Sequence, residues 1–132
     1  MSPTPPTVLI DGSFIDALTD IAHEHHARIV ACYRSMLDDY EANRIRLRAR
    51  TDVIGAQRSP LLAPVERIHI AGQHRRAAAR LVKRLATNPA IDLTIDEDAA
   101  LSLVLMRREG ITRIATLDPT FDAFELTLLP AA

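Results

Sequence analysis

Two aspartates in this 132-residue chain stand where a carboxylate can do chemistry. Asp11 follows the apolar run Thr7-Val8-Leu9-Ile10, and Asp118 follows Ile114-Ala115-Thr116-Leu117. Short apolar runs of this kind suit buried parallel strands. In open parallel sheets, ligands bind just beyond the carboxyl ends of the strands, at a switch in strand order. Two carboxylates gathered there repel one another, which raises a pKa or calls for a cation. An all-oxygen site favours Mg²⁺ or Mn²⁺. Such an ion can polarise a phosphate and activate water for in-line attack. Singly, each acid also has a plain structural use: Asp11 as a helix cap and Asp118 as the first residue of an Asp-Pro turn.

The elements that must position them alternate in type. After the Pro-rich lead-in at residues 1–6 comes the first strand, then a helix through Phe14, Ile15 and Leu18. A second helix pattern runs from Ala22 to Tyr40, with Ile29, Tyr33 and Met36 at helical spacing. Arg44, Arg46, Arg48 and Arg50 alternate with Ile45, Leu47 and Ala49. Period two marks a strand with one apolar face and an all-Arg solvent face. That row could meet phosphates, or it could protect an exposed edge strand by its charge.

Thr51-Asp52 caps a short helix through Val53 and Ile54. Pro64 suits the start of a helix carrying Val65, Ile68, Ala71, Ala78 and Leu81, with Gly72 tolerated inside it. Thr94 or Asp96 caps the next helix, which Gly110 ends. A short edge strand from Leu126 to Leu129 closes the chain ahead of Pro130. Strands alternating with helices predict one α/β domain over residues 1–132, a sandwich on a mostly parallel sheet.

These motifs resemble those of PIN domains, the fold of metal-dependent ribonucleases and VapC-type toxins. Val8 to Leu18 is similar to the family's opening: strand, Asp, small residue, Ser or Thr, apolar helix. His25-His26-Ala27 is similar to a common continuation. The tail carries the strongest match: Asp98-Ala99-Ala100-Leu101-Ser102, Met106-Arg107-Arg108 with Gly110-Ile111, then Ile114 to Asp118 and Phe121. The resemblance covers residues 8–37 and 94–130.

It implies a three-layer PIN-like sandwich and an endoribonuclease using Mg²⁺ or Mn²⁺, the toxin of a toxin–antitoxin pair. It implies catalytic and metal-binding roles for Asp11, Asp98 and Asp118, an outer ligand in Asp122, and support from Ser13 and Thr116. Asp96 and Glu97 are alternatives for the third acid, because aligning the helix on Met106 and Gly110 puts Ala99 at the acid's place. RNA, an antitoxin and a homodimer are the implied partners.

One departure is plain. The family's second acid, a Glu beyond a Thr-containing turn, falls here at Ala56 and Gln57; Asp52 lies nearby, and Glu66 lies too far along. Without it, the alternative is a PIN fold that has lost catalysis and binds RNA or protein.

Composition bounds the rest. The formal net charge is −1 and 48% of residues are hydrophobic, so a real core can form. Residues 42–85 carry eleven Lys/Arg and two acids, between acidic ends. With 4% aromatics and no Trp, base stacking is poorly provided for. Cys32 is the single cysteine, set among Ile29, Val30 and Met36 as a small core residue, and fits a reducing compartment. Neither a secretory leader nor an apolar run of roughly 20 residues is present, which predicts a soluble, cytoplasmic protein without membrane contact. The His23-Glu24-His25-His26 cluster lacks the one-face spacing of a zinc helix. A receiver-like phosphoacceptor would need a Lys after a late strand, and the only Lys, Lys83, falls within a helix.

Overall fold

The computed structural model describes residues 4–55, 59–91 and 93–131. Five parallel strands form one sheet in the order β3-β2-β1-β4-β5. The strands are β1 (Thr7–Ile10), β2 (Arg46–Arg50), β3 (Glu66–Ile68), β4 (Arg113–Ala115) and β5 (Thr127–Leu129). The helices are α1 (Gly12–Thr19), α2 (His26–Glu41), α3 (Thr51–Ile54), α4 (Gly72–Thr87) and α5 (Glu97–Glu109). The sheet grows outward from β1 in both directions, so its switch point lies between β1 and β4. Asp11 and Asp118 follow those two strands, joined through the Thr116 hydroxyl.

The layers follow from the alternation of side chains along each strand. Val8, Ile10, Leu47 and Ala49 join Phe14, Leu18, Ile29 and Tyr33 in one core, on the side covered by α1 and α2. Leu9, Ile68 and Ile114 join Ala78, Leu101, Leu105 and Phe121 in the other, under α4 and α5. Strand β1 is apolar from Val8 to Ile10, where both of its faces are covered. The expected three-layer α/β sandwich is what forms.

Several boundaries differ from the sequence reading. Val65 to Ile68 do not belong to a helix: β3 is a three-residue strand, and α4 starts at Gly72 rather than tolerating it inside. A strand this short has no legible period, and Pro64 and the Val65–Ile68 spacing imitate a helix start. The entry to α4 is fixed by Nδ1 of His74, which accepts from the Ala71 N–H at 2.9 Å. Helix α2 starts at His26, four residues later than its pattern suggests, because residues 21–25 form turns. The cap of α5 is Asp96, whose side chain accepts from the Ala99 N–H at 2.7 Å. Gly110 closes α5 in the left-handed region at φ 68°, where a β-carbon would be strained.

The arginine row is not on a solvent-facing edge. Strand β2 lies between β1 and β3, and Arg48 pairs in register with Leu9, on the α4–α5 side. Arg48 and Arg50 therefore lie under α5, where they meet Glu109, Asp98 and Ser102, while Arg44 stays exposed and Arg46 partly so. Among the described residues, no helix is long and apolar enough to cross a membrane.

Candidate acidic site

Asp11 occupies the N-cap position of α1 but does not cap it. Its backbone carbonyl accepts from the N–H groups of Phe14 and Ile15, both at 3.1 Å, which leaves the carboxylate free to turn inward. The carboxylate is buried, and its Oδ2 accepts from the Ser13 hydroxyl at 2.8 Å and the Thr116 hydroxyl at 2.9 Å. Those hydroxyls accept in turn from backbone: Leu117 N–H to Ser13 at 2.9 Å and Asp118 N–H to Thr116 at 3.0 Å. The two oxygens lie 3.1 Å apart, and each has a single proton, which the carboxylate draws. Two chains of donors thus converge on one oxygen, each link polarising the next. Oδ1 of Asp11 is buried with no hydrogen-bond partner. A buried charged oxygen left in this way is costly.

Asp118 stands one link away. Its Oδ1 accepts from the Thr120 N–H at 2.9 Å and so caps the 3-10 helix Pro119–Ala123. Its structural and candidate chemical uses coexist in one side chain. Asp118 and Asp122 line a hollow of about 190 Å³ with Arg28, Thr116 and Pro130. Asp122 is exposed.

The third acid is placed differently. Asp98 lies in the first turn of α5, its side chain 65% exposed, with Oδ1 2.9 Å from Nη2 of Arg50. Ala99, the next residue, is the one that faces the core, at 2% exposure. Asp96 is committed to its cap, and Glu97 is exposed in the first turn. Ala56 and Gln57 lie outside the described residues.

What the sequence did not disclose is the position of Arg50. Its side chain is 3% exposed. It makes a two-pronged contact with Asp52, Nε to Oδ1 at 2.9 Å and Nη2 to Oδ2. Its Nη1 donates to the Asp98 carbonyl at 2.9 Å and to the Ser102 hydroxyl at 2.8 Å. One guanidinium therefore ties the end of β2 to α3 and to the first turns of α5. Burial works against its charge, but the hydrogen bond and charge of Asp52 and the charge of Asp98 hold its pKa above the ordinary value. The same contact holds the Asp52 carboxyl below its ordinary range.

A carboxyl with a depressed folded pKa contributes stability that is present above its unfolded pKa, about 3.9 for Asp. That contribution is lost as pH falls through the lower folded value. Wild-type protein should therefore lose unfolding free energy on acidification below about pH 4. Asp52→Asn should show a shallower acid limb, read by urea denaturation at a series of pH values. Superimposable limbs would mean that the pair contributes nothing to acid sensitivity.

The rest of the arginine row is engaged as well. Arg44 meets Asp39 at 3.3 Å, Arg46 meets Glu66 at 2.7 Å, and Arg48 lies between Glu66 at 3.9 Å and Glu109 at 3.4 Å. A larger exposed basic surface lies elsewhere. Arg80 and Arg84 of α4, with Arg107 and Arg108 of α5, border a groove of about 680 Å³ floored by Leu81, Val104 and Phe124. Their spacing, i and i+4 on α4 and a pair on α5, was visible in the sequence, but their meeting depends on how the helices pack. Cys32 is partly buried, and burial raises its thiol pKa, as a core residue's would be.

Whether a divalent ion fits can be tested on these contacts. The unpartnered Oδ1 of Asp11 would welcome one. Yet among the described residues, no three His, Cys, Asp or Glu side chains come together as a metal group. Asp98 is turned to a guanidinium, and Ala99 stands where an inward-facing acid would be. The described residues do not fit the three-carboxylate centre that the sequence resemblance implies.

Comparison with known proteins agrees with the fold. The crystal structure of VapC20 from Mycobacterium tuberculosis, a Sarcin-Ricin loop cleaving toxin, superimposes with a TM-score of 0.60 over 90% of this chain and 98% of that one. Sequence identity is 16%. No family model matches the sequence, and no curated protein matches it. The chain has the PIN, VapC-like fold.

Proposed function

We propose that this protein is a VapC-like fold that binds RNA without metal-dependent cleavage. The observation that carries the reading is Arg50, which holds Asp98 and Asp52 at the site where carboxylates would otherwise gather. RNA is favoured as the ligand by the four exposed arginines around the α4–α5 groove and by likeness to a toxin that cleaves the Sarcin-Ricin loop. With few aromatics, contact would be to the phosphate backbone rather than by stacking.

A second reading has its own observation. The unpartnered Asp11 Oδ1, with Asp118 one hydroxyl away, supports a Mg²⁺- or Mn²⁺-dependent endoribonuclease, the toxin of a toxin–antitoxin pair. An antitoxin partner and a homodimer belong to that reading.

One experiment separates them: anisotropy of a labelled mixed-sequence RNA in EDTA, beside gel assays of the same RNA with Mn²⁺ or Mg²⁺. Binding without metal is expected, with log K falling against log salt at a slope near −3 if about four phosphates are met. Arg80→Ala with Arg84→Ala should flatten that slope by about half. Cleavage should not exceed that of Asp11→Ala or Asp118→Ala. Cutting by wild type alone would install the nuclease reading, and absence of RNA binding would point to a protein partner.

A further inference from the structure

Arg50 does more than neutralise an acid. Strand β2 pairs with β1 so that Arg48 lies beside Leu9. Two residues further on, Arg50 leaves β2 at the level where Asp11 leaves β1. Alternation puts both side chains on the α4–α5 face. Adjacent strands are about 4.8 Å apart, so the backbone of Arg50 leaves the sheet's carboxyl end one strand from that of Asp11. There the chain divides its polar groups. Asp11 turns toward Ser13 and Thr116 on the β4 side, while Arg50 turns toward α5 and gathers Asp98 and Ser102, with Asp52 closing from α3.

We propose that Arg50 is the resident cation of this site, its guanidinium between Asp52, Asp98 and Ser102 standing in place of a divalent ion. Three features support the assignment. The group is buried, and every one of its terminal nitrogens has a partner, so it is built in rather than draped across the surface. A fixed positive charge here repels a second cation, an effect stronger in the partly desolvated site than in water. The carboxylates it holds come from two elements, α3 and α5, which is the bridging a metal would perform.

The proposal goes beyond RNA binding, and its test reads metal alone. MnCl₂ would be titrated into the full chain by calorimetry, with thermal melts at matched ionic strength. Wild type should show no saturable binding tighter than about millimolar, the weak carboxylate regime, and a melting temperature unchanged within about 1 °C. Arg50→Gln frees Asp52 and Asp98 and should bind Mn²⁺ at least tenfold tighter, and adding Asp98→Asn should abolish the gain. Arg50→Lys keeps the charge in a folded chain, should Arg50→Gln not fold, and should remain as indifferent to Mn²⁺ as wild type. Micromolar Mn²⁺ binding by wild type that Asp98→Asn weakens would overturn the assignment. So would a folded Arg50→Gln with no gain, or an Arg50→Lys that binds Mn²⁺ tightly. RNA affinity in EDTA, measured separately, tells failure of this assignment from failure of the RNA-binding reading.

Discussion

Arg50→Met is expected to lower the unfolding free energy by about 3 kcal/mol, the low end of what breaking a buried ion pair costs. The substitution keeps most of the side chain's length and removes its charge. It removes the donor that the Ser102 hydroxyl and the Asp98 carbonyl now accept from at 2.8 and 2.9 Å. It also undoes the tie between β2, α3 and α5. The effect stays at the low end because Asp98 can return to water, its side chain being 65% exposed already. In a domain of this size the melting temperature should drop by about 10 °C. Chemical denaturation of the two proteins measures it directly, and a difference under about 0.5 kcal/mol would show that the network is ornamental.

Asp11→Asn should act in the opposite sense and raise stability by about 1–2 kcal/mol. The hydroxyls of Ser13 and Thr116 donate to Oδ2, and an asparagine carbonyl oxygen in that place still accepts both, though more weakly than a carboxylate. What changes is Oδ1, now a buried charged oxygen without a partner. Its replacement by a neutral amide removes the uncompensated charge, which outweighs the cost of an N–H₂ group left without an acceptor there. Sites kept for function commonly hold strain that a neutral substitution relieves. A loss of stability on Asp11→Asn would instead make the carboxylate a structural fastener, with no stored cost. The pair of variants therefore separates two kinds of buried charge in one site: one fully satisfied, the other held unpaired.

The parts of this architecture that were legible in the sequence are those governed by local pattern. Thr7 to Ile10 and Ile114 onward read as strands because both faces of each are covered, and Asp11 and Asp118 followed from where those strands end. Gly110 read as the end of α5, and its start was narrowed to a cap by Thr94 or Asp96, because capping chemistry is local. Strand β3 did not, since Glu66-Arg67-Ile68 is too short to show alternation and its neighbours imitate a helix start. The arginine row was read correctly for period and wrongly for surroundings. Alternation reports which residues share a face but not what lies over it, and here α5 does. Arg50 and Asp98 are 48 residues apart. Their pairing is a product of packing that no local pattern encodes, and so a candidate metal ligand became the partner of an arginine.

The sheet's margins bear on assembly. Strand β3 at one border has three residues, two of them the exposed charged pair Glu66 and Arg67; β5 at the other also has three and is followed at once by Pro130. A proline offers no N–H, and three rungs give a docking strand little purchase. Extension of the sheet by an incoming chain is thus poorly served at either border. Any macromolecule that this protein engages has to be received by its helical layers or by the rim where the strands end, and polymerisation through strand exchange is discouraged by the same two borders.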